Sequence, residues 1–424
     1  MKRLVEKLSD QVVPSYRRRI ADLVAAHGKN PLGSISVSQL THGLRDVRAL
    51  VCDTSVVDPG DGLKVRGRPI RALRGHPVEA LFWLLLTGEL PTRPELSELQ
   101  AELLRRAEWP DGVETILGQV PVGTPPMSLL TILLLASRHR SRFAQVVCAG
   151  VDRQGWWRYA LEDAIDILAL LPLFVGAIYR LRVRSALPAA PLALEWAERF
   201  SQLLGFDDPL IHDLLRLSTV VHSDHESGHV SAMASHIVGS ALSDPYYALA
   251  AGMCGLAGPR HGGANENATR FVLDLMRRFG GVPRTEEIEA AIVERLDRGL
   301  TIPGFGHAVL RGEDPRFASL YSFGQRRCEN QEIFQTLIRL ASIAPRLLRE
   351  KTQIQNPLPN VDGISGIVYH AVGLTEIDMY TTFFAVGISL GLLAQYVLNR
   401  AILSPIVHSR SITLPGLEER VFCN

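Results

Sequence analysis

Helical periodicity runs through most of this 424-residue chain and limits its fold more than any other feature. From about residue 77 onward, apolar residues recur at helical spacing, and glycine or proline marks the ends of the segments. The predicted helices are 4–28, 77–90, 94–107, 126–138, 160–181, 191–204, 207–220, 229–241, 244–256, 265–279, 285–298, 315–327, 331–349 and 374–398. Because strands do not alternate with these helices, folds built on a parallel sheet are disfavoured. We predict an all-α protein.

Two regions qualify this picture. Residues 35–69 carry β-branched side chains and a run of turn residues at 58–62, which together predict one or two short hairpins. The apolar runs 165–179 and 381–398 are too short or too interrupted for a membrane span of about 20 residues. We therefore expect two buried core helices and no contact with a membrane.

Charge and cysteine usage exclude some classes of function. Lys and Arg total 45 against 44 for Asp and Glu, so no overall field attracts nucleic acid, and no nucleic-acid partner is expected. The five cysteines are scattered and form no CxxC motif, which indicates buried thiols in a reducing compartment. The basic N-terminal stretch 1–24 has no apolar core typical of a signal peptide, so we expect a surface helix and a cytoplasmic protein.

Histidines are concentrated in residues 221–267, which contain five of the 13. They are His222, His225, His229, His236 and His261. The first four are spaced by three, four and seven residues, so on a helix their rings would share one face. This spacing leaves a zinc site, and with it a zinc hydrolase, as one alternative. The last lies in a loop rich in glycine and proline, where a ring is held by the backbone and open to a ligand.

Three long motifs carry a resemblance to a known family. The stretch SDHE…VSA…SH.VGSALSDPY…GLAGP.HGGANE, the segment PGFGHAVLR at 303–311 with DPR at 314–316, and PNVDGISG at 359–366 occur in the family's order. Together they resemble the citrate synthase family, in its eukaryotic-type branch, and the likeness extends from about residue 5 to the C-terminus.

The resemblance implies a domain organisation. A large helical domain of residues 1–262 and 374–424 would be interrupted by a small helical domain of residues 263–373, with the site in the cleft between them. The glycine-rich joints 262–263 and 363–366 are expected to act as hinges for closure. The family likeness also implies a homodimer.

The resemblance assigns chemistry to three residues. A Claisen condensation of a thioester with a ketone needs a base, a neutral donor for the enolate oxygen and an acid for the ketone oxygen. By resemblance Asp362 is the base, His261 the enolate donor and His307 the acid. The expected reaction joins acetyl-CoA to a 2-oxo acid and then hydrolyses the thioester. Acetyl-CoA is a co-substrate, and no metal or permanently bound cofactor is implied.

Further matched positions would bind the two substrates. His225 and Arg316 match positions that hold the carboxylates of the 2-oxo acid, and the planar fork of arginine suits a carboxylate. Four residues are expected to lie near coenzyme A: Arg45, Arg311, Gly304 and Gly306.

Several anion-holding positions depart from the family pattern. Ile388 and His408 stand where members that use oxaloacetate carry arginines, and His229 replaces an asparagine. Whether Arg410 substitutes for a missing arginine is left open. Other departures are Gln145, Ser227, Gln353 and Gln355.

The retained chemical groups favour a changed co-substrate over a binding protein without activity. Our main hypothesis is phosphonopyruvate, a phosphonate analogue of oxaloacetate, giving 2-(phosphonomethyl)malate. Ile388, His408 and His229 would then face the phosphonate, which is bulkier than a carboxylate and accepts hydrogen bonds from several directions. The alternatives are a citrate or 2-methylcitrate synthase that uses oxaloacetate, and a non-enzymatic binding relative.

Overall fold

Helices build nearly all of the protein, as the sequence predicts. The computed structural model describes residues 1–186 and 193–422. The helices of the first half are α1 (Lys2–Lys7), α2 (Val13–His27), α3 (Val37–Thr41), α4 (Ile70–Leu73), α5 (Val78–Thr87), α6 (Arg93–Arg106), α7 (Val113–Gln119), α8 (Pro126–Ala136), α9 (Arg142–Cys148), α10 (Trp156–Arg182), α11 (Trp196–Leu204) and α12 (Pro209–Val221). A π-helical turn, Leu8–Val12, joins the first two.

The second half continues in the same way, and the predicted all-α fold is confirmed. Its helices are α13 (Val230–Ser240), α14 (Pro245–Leu256), α15 (Ala264–Phe279), α16 (Thr285–Asp297), α17 (Pro315–Arg327), α18 (Glu332–Lys351), α19 (Asp362–Ala371), α20 (Tyr380–Ala401) and α21 (Leu414–Phe422). Short 3₁₀ turns lie at Ser137–Arg140, Arg153–Gly155 and Ile377–Met379. The first residues of the helix predicted from 191 lie outside the described residues.

Three short strands in the described chain form one small antiparallel sheet. It contains β1 (Ser55–Asp58), β2 (Gly62–Val65) and β3 (Arg68–Pro69) in that order. The hairpin turn falls on the predicted run of turn residues. The prediction of β-structure from residue 35 is wrong for residues 35–54, which form α3 and irregular backbone. A capping box between Ser36 and Gln39 starts α3.

Two long apolar helices form the centre of the core. By length and composition alone, Arg153–Arg182 and Ile377–Ala401 could cross a membrane, so the expectation that they are too short is wrong. However, 89% and 94% of their most apolar windows are buried within the protein. They pack on each other, and α5, α12 and α14 pack around α20. Their apolar character therefore serves the core of this fold.

The helices between residues 264 and 371 pack mainly on one another. Helix α15 contacts α18 and α19, α16 contacts α18, and α17 contacts α19. A smaller number of contacts join this group to the rest of the chain, among them α12 with α17 and α15 with α20. The predicted domain boundaries at 263 and 373 fall at the ends of this group.

The glycine-rich segment 363–366, which is expected to act as a hinge, is helical. It lies in the first turns of α19, and its glycines serve close packing. A Cβ on Gly366 would overlap the side chains of Thr269 and Tyr380, and one on Gly363 would come within 2.7 Å of the Gly304 carbonyl oxygen. Glycine is needed here because neighbouring elements approach the helix backbone.

The cysteines of the described chain are free thiols, namely Cys52, Cys148, Cys254 and Cys328. Cys423 lies outside the described residues.

Candidate active site

The histidine-rich segment is a loop between two helices rather than one helical face. His222 is the C-terminal cap of α12, His225 lies in the loop and His229 is the N-terminal cap of α13. His236 lies within α13 and its Nδ1 pairs with the side chain of Asn399 at 2.9 Å. The expectation that the four rings share a helix is therefore wrong, because α12 ends at Val221 and α13 begins at Val230, so three of the four lie outside both helices.

Hydrogen bonds to β1 and α20 hold this loop on two sides. Glu226, at a positive φ of 63°, accepts a hydrogen bond from the Val57 backbone N–H of β1, and its own N–H donates to Ser55 Oγ at 2.7 Å. On the other side, Gln395 Nε2 of α20 donates to Asp224 Oδ1 at 2.9 Å and to the Glu226 carbonyl at 3.1 Å. The strained residue beside His225 is thus held by its neighbours.

Four imidazole rings form a continuous row. The ring centroids of His307 and His225 are 5.9 Å apart, those of His225 and His229 are 6.0 Å apart, and those of His229 and His261 are 5.3 Å apart. The row joins residues from the loops before α13, α15 and α17. The structure therefore brings together side chains that are up to 82 positions apart in the sequence.

His307 is oriented by its own loop. Its Nδ1 accepts hydrogen bonds from the backbone N–H groups of Val309 and Leu310, both at 3.0 Å. An accepting Nδ1 carries no proton, so the neutral ring has its N–H at Nε2. Burial, and next the positive charge of Arg316, lower the pKa of His307 to about 4. The ring is thus neutral near pH 7 and able to donate from Nε2.

Arg316, the second residue of α17, is paired with Asp314, the N-cap of the same helix. Its Nε donates to Oδ1 at 3.0 Å and its Nη2 to Oδ2 at 2.8 Å. Nη2 also lies 3.5 Å from His307 Nε2. Although burial opposes ionisation, the charge and hydrogen bonds of Arg316 hold the pKa of Asp314 at about 2. The guanidinium is therefore charged and fixed beside the histidine row.

Asp362 is the first residue of α19. Burial raises the pKa of its carboxyl to about 6, while the charge of Arg316 acts in the opposite direction. Its backbone N–H donates to Asn360 Oδ1 at 3.0 Å. A carboxyl with this pKa is ionised near pH 7 yet basic enough to accept a proton from a bound ligand.

The loops that carry Asp362 and His307 are neighbours. Asn360 Nδ2 donates to the Gly306 carbonyl at 2.6 Å, and the Asn360 N–H donates to the Gly304 carbonyl at 2.9 Å. Gly304 and Gly306 have positive φ values of 81° and 91°. A Cβ on Gly304 would overlap the backbone of the residue after Asp362. These glycines therefore allow the two loops to meet.

His261 lies between α14 and α15, at the other end of the row. Its Nε2 is 2.9 Å from Ser231 Oγ, and its ring lies edge-on to Phe384 of α20 with centroids 6.3 Å apart. Burial lowers the pKa of this ring below the ordinary value for histidine. It is therefore neutral near pH 7.

A polar cleft opens next to His307. Its volume is about 460 Å³, and its lining includes the expected coenzyme residues Arg45 and Arg311 together with Gln355. The Arg311 Nη1 donates to three carbonyls of its own loop, at 2.8 to 3.2 Å. Both arginines are exposed, and the cleft is large enough to admit part of a nucleotide.

Two of the expected substrate residues lie on α20 and in the segment that follows it. Ile388 is 1% exposed within the apolar core, one helical turn beyond Phe384. His408 is exposed in the extended segment that follows α20, where the neighbouring Val407 N–H donates to Ser240 Oγ at 3.0 Å. Their roles toward the 2-oxo acid stay predictions. In the part of the chain that the structure describes, no group of three metal-ligating side chains is found.

Three side chains that position this site, Asp314, Ser231 and Phe384, have no role predicted from the sequence. Asp314 is recognisable afterwards as an Asp-Pro helix start. Ser231 and Phe384 have no local signal, because they meet His261 only through tertiary packing.

Known proteins of one family resemble this chain over most of its length. The family model for the citrate synthase C-terminal domain matches residues 43–407. A probable mitochondrial citrate synthase from Glossina morsitans morsitans is 37% identical over 421 residues, covering 96% of this chain and 90% of that protein. A mitochondrial citrate synthase from Kajikia audax is 38% identical over 426 residues, covering 98% and 91%. The crystal structure of citrate synthase from Pyrobaculum aerophilum matches with a TM-score of 0.77 at 28% identity, covering 90% of this chain and 95% of that one.

The fold, the site and these relatives define an acyltransferase. The chain belongs to the citrate synthase family. One expectation is overturned at this point: the predicted cytoplasmic location is contradicted by the relatives, which are named as mitochondrial. The composition of a folded domain does not reveal its compartment.

Proposed function

We propose that this protein condenses acetyl-CoA with oxaloacetate and hydrolyses the resulting thioester, as a citrate synthase. The observation that carries the proposal is the row of neutral imidazoles that ends beside Arg316 and the basic carboxylate of Asp362. A charged guanidinium, a base and two neutral donors at one cleft are the groups that this condensation requires.

Each group has a defined part in the proposed reaction. Asp362 removes a proton from the methyl group of acetyl-CoA, and the raised pKa of its carboxyl favours that transfer. His261 donates a hydrogen bond to the enolate oxygen. The new carbon–carbon bond forms at the ketone carbon, and Nε2–H of His307 supplies the proton that the ketone oxygen gains. Water then cleaves the thioester and releases coenzyme A.

The 2-oxo acid would be held by its carboxylate next to the ketone. Arg316 lies 3.5 Å from the His307 nitrogen that meets the ketone, and Asp314 keeps its fork in place. His225 is the next ring in the row. Coenzyme A would enter through the adjoining cleft, with Arg45 and Arg311 near its phosphates.

Oxaloacetate is the better supported substrate because the relatives at 37–38% identity are named citrate synthases. Phosphonopyruvate is a second candidate, favoured by the buried, apolar Ile388 at a position expected to carry arginine. Losing one charge-assisted bidentate contact costs about 2–4 kcal/mol of binding to the original ligand. The choice between the two acids depends on that missing contact.

A thiol-release assay with acetyl-CoA decides between them. Oxaloacetate and phosphonopyruvate are compared singly and in competition at equal concentrations, with Asp362→Asn as the inactive control. We expect the higher kcat/KM with oxaloacetate. A higher value with phosphonopyruvate would replace the proposed substrate by the second candidate, and no release with any 2-oxo acid would refute the proposed activity.

The assembly and location are further parts of this proposal. A division into residues 1–262 with 374–424 and residues 263–373 fits the packing of α15 to α19. A homodimer fits the exposed apolar side chains on α13 and α14, with Val230 61%, Ile237 47% and Tyr247 44% exposed. In such a dimer the segment around His408 would reach the partner's cleft. A fully active monomer at micromolar concentration would refute that shared site.

A mitochondrial location, as in the names of the relatives, is tested by imaging a fluorescent fusion.

A further inference from the structure

One hydroxyl group joins two imidazoles of the row. Ser231 Oγ lies 2.9 Å from Nδ1 of His229 and 2.9 Å from Nε2 of His261. A serine hydroxyl has a single proton, so it can donate to only one of the two rings and must accept from the other. The positions of the protons on the two rings are therefore coupled through Ser231.

A second donor approaches the same nitrogen of His229. As the N-cap of α13, His229 Nδ1 accepts from the Ala232 backbone N–H at 3.4 Å. An Nδ1 in this role has no proton, so it also accepts from Ser231, whose oxygen then accepts from Nε2–H of His261. In this arrangement the neutral His261 ring has no proton on Nδ1. Nδ1, the His261 nitrogen that is not bonded to Ser231, then cannot donate a hydrogen bond to an enolate oxygen.

Protonation of His229 reverses the chain of hydrogen bonds. The imidazolium carries N–H on both nitrogens, so Nδ1–H donates to Ser231, and Ser231 donates to Nε2 of His261. The neutral His261 ring then has its proton on Nδ1, where it can serve as a donor. The other imidazolium proton lies on His229 Nε2, which is buried and has no partner among the described residues. That nitrogen is available to an anionic group of a ligand.

The surroundings keep His229 neutral in the free protein. Burial, then the neighbouring His261 and the charge of Arg316, lower the pKa of His229 to about 3. His225 faces it from the loop before α13, with its pKa also lowered by burial. No carboxylate of the described residues contributes to the shift at His229. An anion placed at Nε2 would be the first negative charge to face this ring.

We propose that His229 and Ser231 are positioning residues that set the tautomer of His261 in response to the distal anion of the 2-oxo acid. Binding of the acid brings one proton from solvent to His229, reverses the Ser231 hydroxyl and places the His261 proton on Nδ1. Enolisation of acetyl-CoA then follows binding of the 2-oxo acid. This inference rests on the proposed function, and it applies to a distal carboxylate or phosphonate alike.

Proton uptake tests the coupling directly. Calorimetry of oxaloacetate binding near pH 5, where His229 is neutral in the free protein and a nearby anion can raise its pKa above the working pH, should show that the wild-type protein takes up about one proton more per site than His229→Asn, measured in two buffers of different ionisation enthalpy. Asparagine is the matched variant, because its oxygen can cap Ala232 while its amide donates to Ser231 at the same time. Equal proton uptake by the two proteins would overturn the proposal.

The tautomer of His261 provides a second readout. With ¹⁵N-labelled histidine, NMR should show that the Nδ1 of His261 gains its proton on addition of oxaloacetate to the wild-type protein, and already has it in unliganded His229→Asn. Without a 2-oxo acid, this variant should exchange the methyl hydrogens of acetyl-CoA about 10- to 100-fold faster than wild type. Adding Ser231→Ala to His229→Asn should abolish this increase in the exchange rate. A protonated Nδ1 in the unliganded wild type would contradict the coupling.

These outcomes separate the coupling from the proposed activity. If the activity is wrong, no 2-oxo acid releases thiol from acetyl-CoA. If only the coupling is wrong, thiol release persists while proton uptake and the His261 tautomer are the same in wild type and His229→Asn. Circular dichroism checks the fold of the variant. If that fold is lost, the change of tautomer in the wild-type protein decides alone.

Discussion

Arg316 and Asp314 are joined by two parallel hydrogen bonds, from Nε to Oδ1 at 3.0 Å and from Nη2 to Oδ2 at 2.8 Å. Both side chains are buried, at 8% and 2% exposure. Asp314 Oδ2 also accepts from the Val361 N–H at 3.1 Å, immediately before the proposed base. One carboxylate therefore positions the arginine of α17 and the start of α19 together.

The first prediction concerns this pair. Asp314→Asn should destabilise the protein by about 3–5 kcal/mol, because it leaves the buried Arg316 charge without its partner. The KM for the 2-oxo acid should rise as well, since the guanidinium loses its orientation. Urea unfolding and the thiol-release assay measure the two effects.

The exposed pair of Lys64 and Asp61, at 2.7 Å, provides the matched control. Asp61→Asn should leave stability unchanged within error, since exposed ion pairs contribute little. If Asp314→Asn behaved like this control, the buried pair would have no structural role.

The second prediction is a pH dependence. The base form of Asp362 is the ionised carboxylate, and its pKa is raised to about 6 by burial. Activity therefore increases as pH rises through this value, and kcat/KM should fall about tenfold per unit well below it. His307, with a pKa of about 4, stays neutral throughout this range. A kcat/KM that is constant between pH 5 and 7 would contradict the assignment.

The third prediction separates two effects of replacing a glycine by alanine, namely backbone strain and overlap of the new Cβ with a neighbouring backbone. Gly304 and Gly299 both have positive φ, at 81° and 71°, but only at Gly304 would a Cβ meet another backbone, that of Gly363. Gly299→Ala should cost about 1–2 kcal/mol of stability with activity retained. Gly304→Ala should cost more and raise the KM for acetyl-CoA. Equal activity of the two variants would show that the loop contact is dispensable.

The sequence was sufficient for most of the fold, because apolar periodicity and helix-end signals are local. It does not predict α19, because Gly363 and Gly366 lie in the first turns of that helix. Glycine lowers helix propensity, but here it allows Gly304, Thr269 and Tyr380 to approach, which is a tertiary requirement. Short helices such as α7 and α9 were also missed, since one or two turns carry little periodicity.

The sequence groups the residues of the candidate site but does not reveal their hydrogen bonds. Motif resemblance identified His225, His261 and His307, and the structure places their rings in one row. The tautomers depend on Ser231 and on the backbone of the 307–310 loop, and no sequence spacing reveals those contacts. The functions of Ile388 and His408 depend on ligand and partner contacts, so they stay predictions.

The most direct test of the proposed chemistry is hydrogen removal by Asp362. Wild type and Asp362→Asn are compared for the loss of deuterium from CD₃-acetyl-CoA to solvent in the presence of oxaloacetate, which counts both exchange and condensation. The amide cannot accept the proton, so the rate should fall about 10²- to 10⁴-fold, while oxaloacetate binding, measured by calorimetry, persists. Deuterium loss from the variant at the wild-type rate would contradict the account.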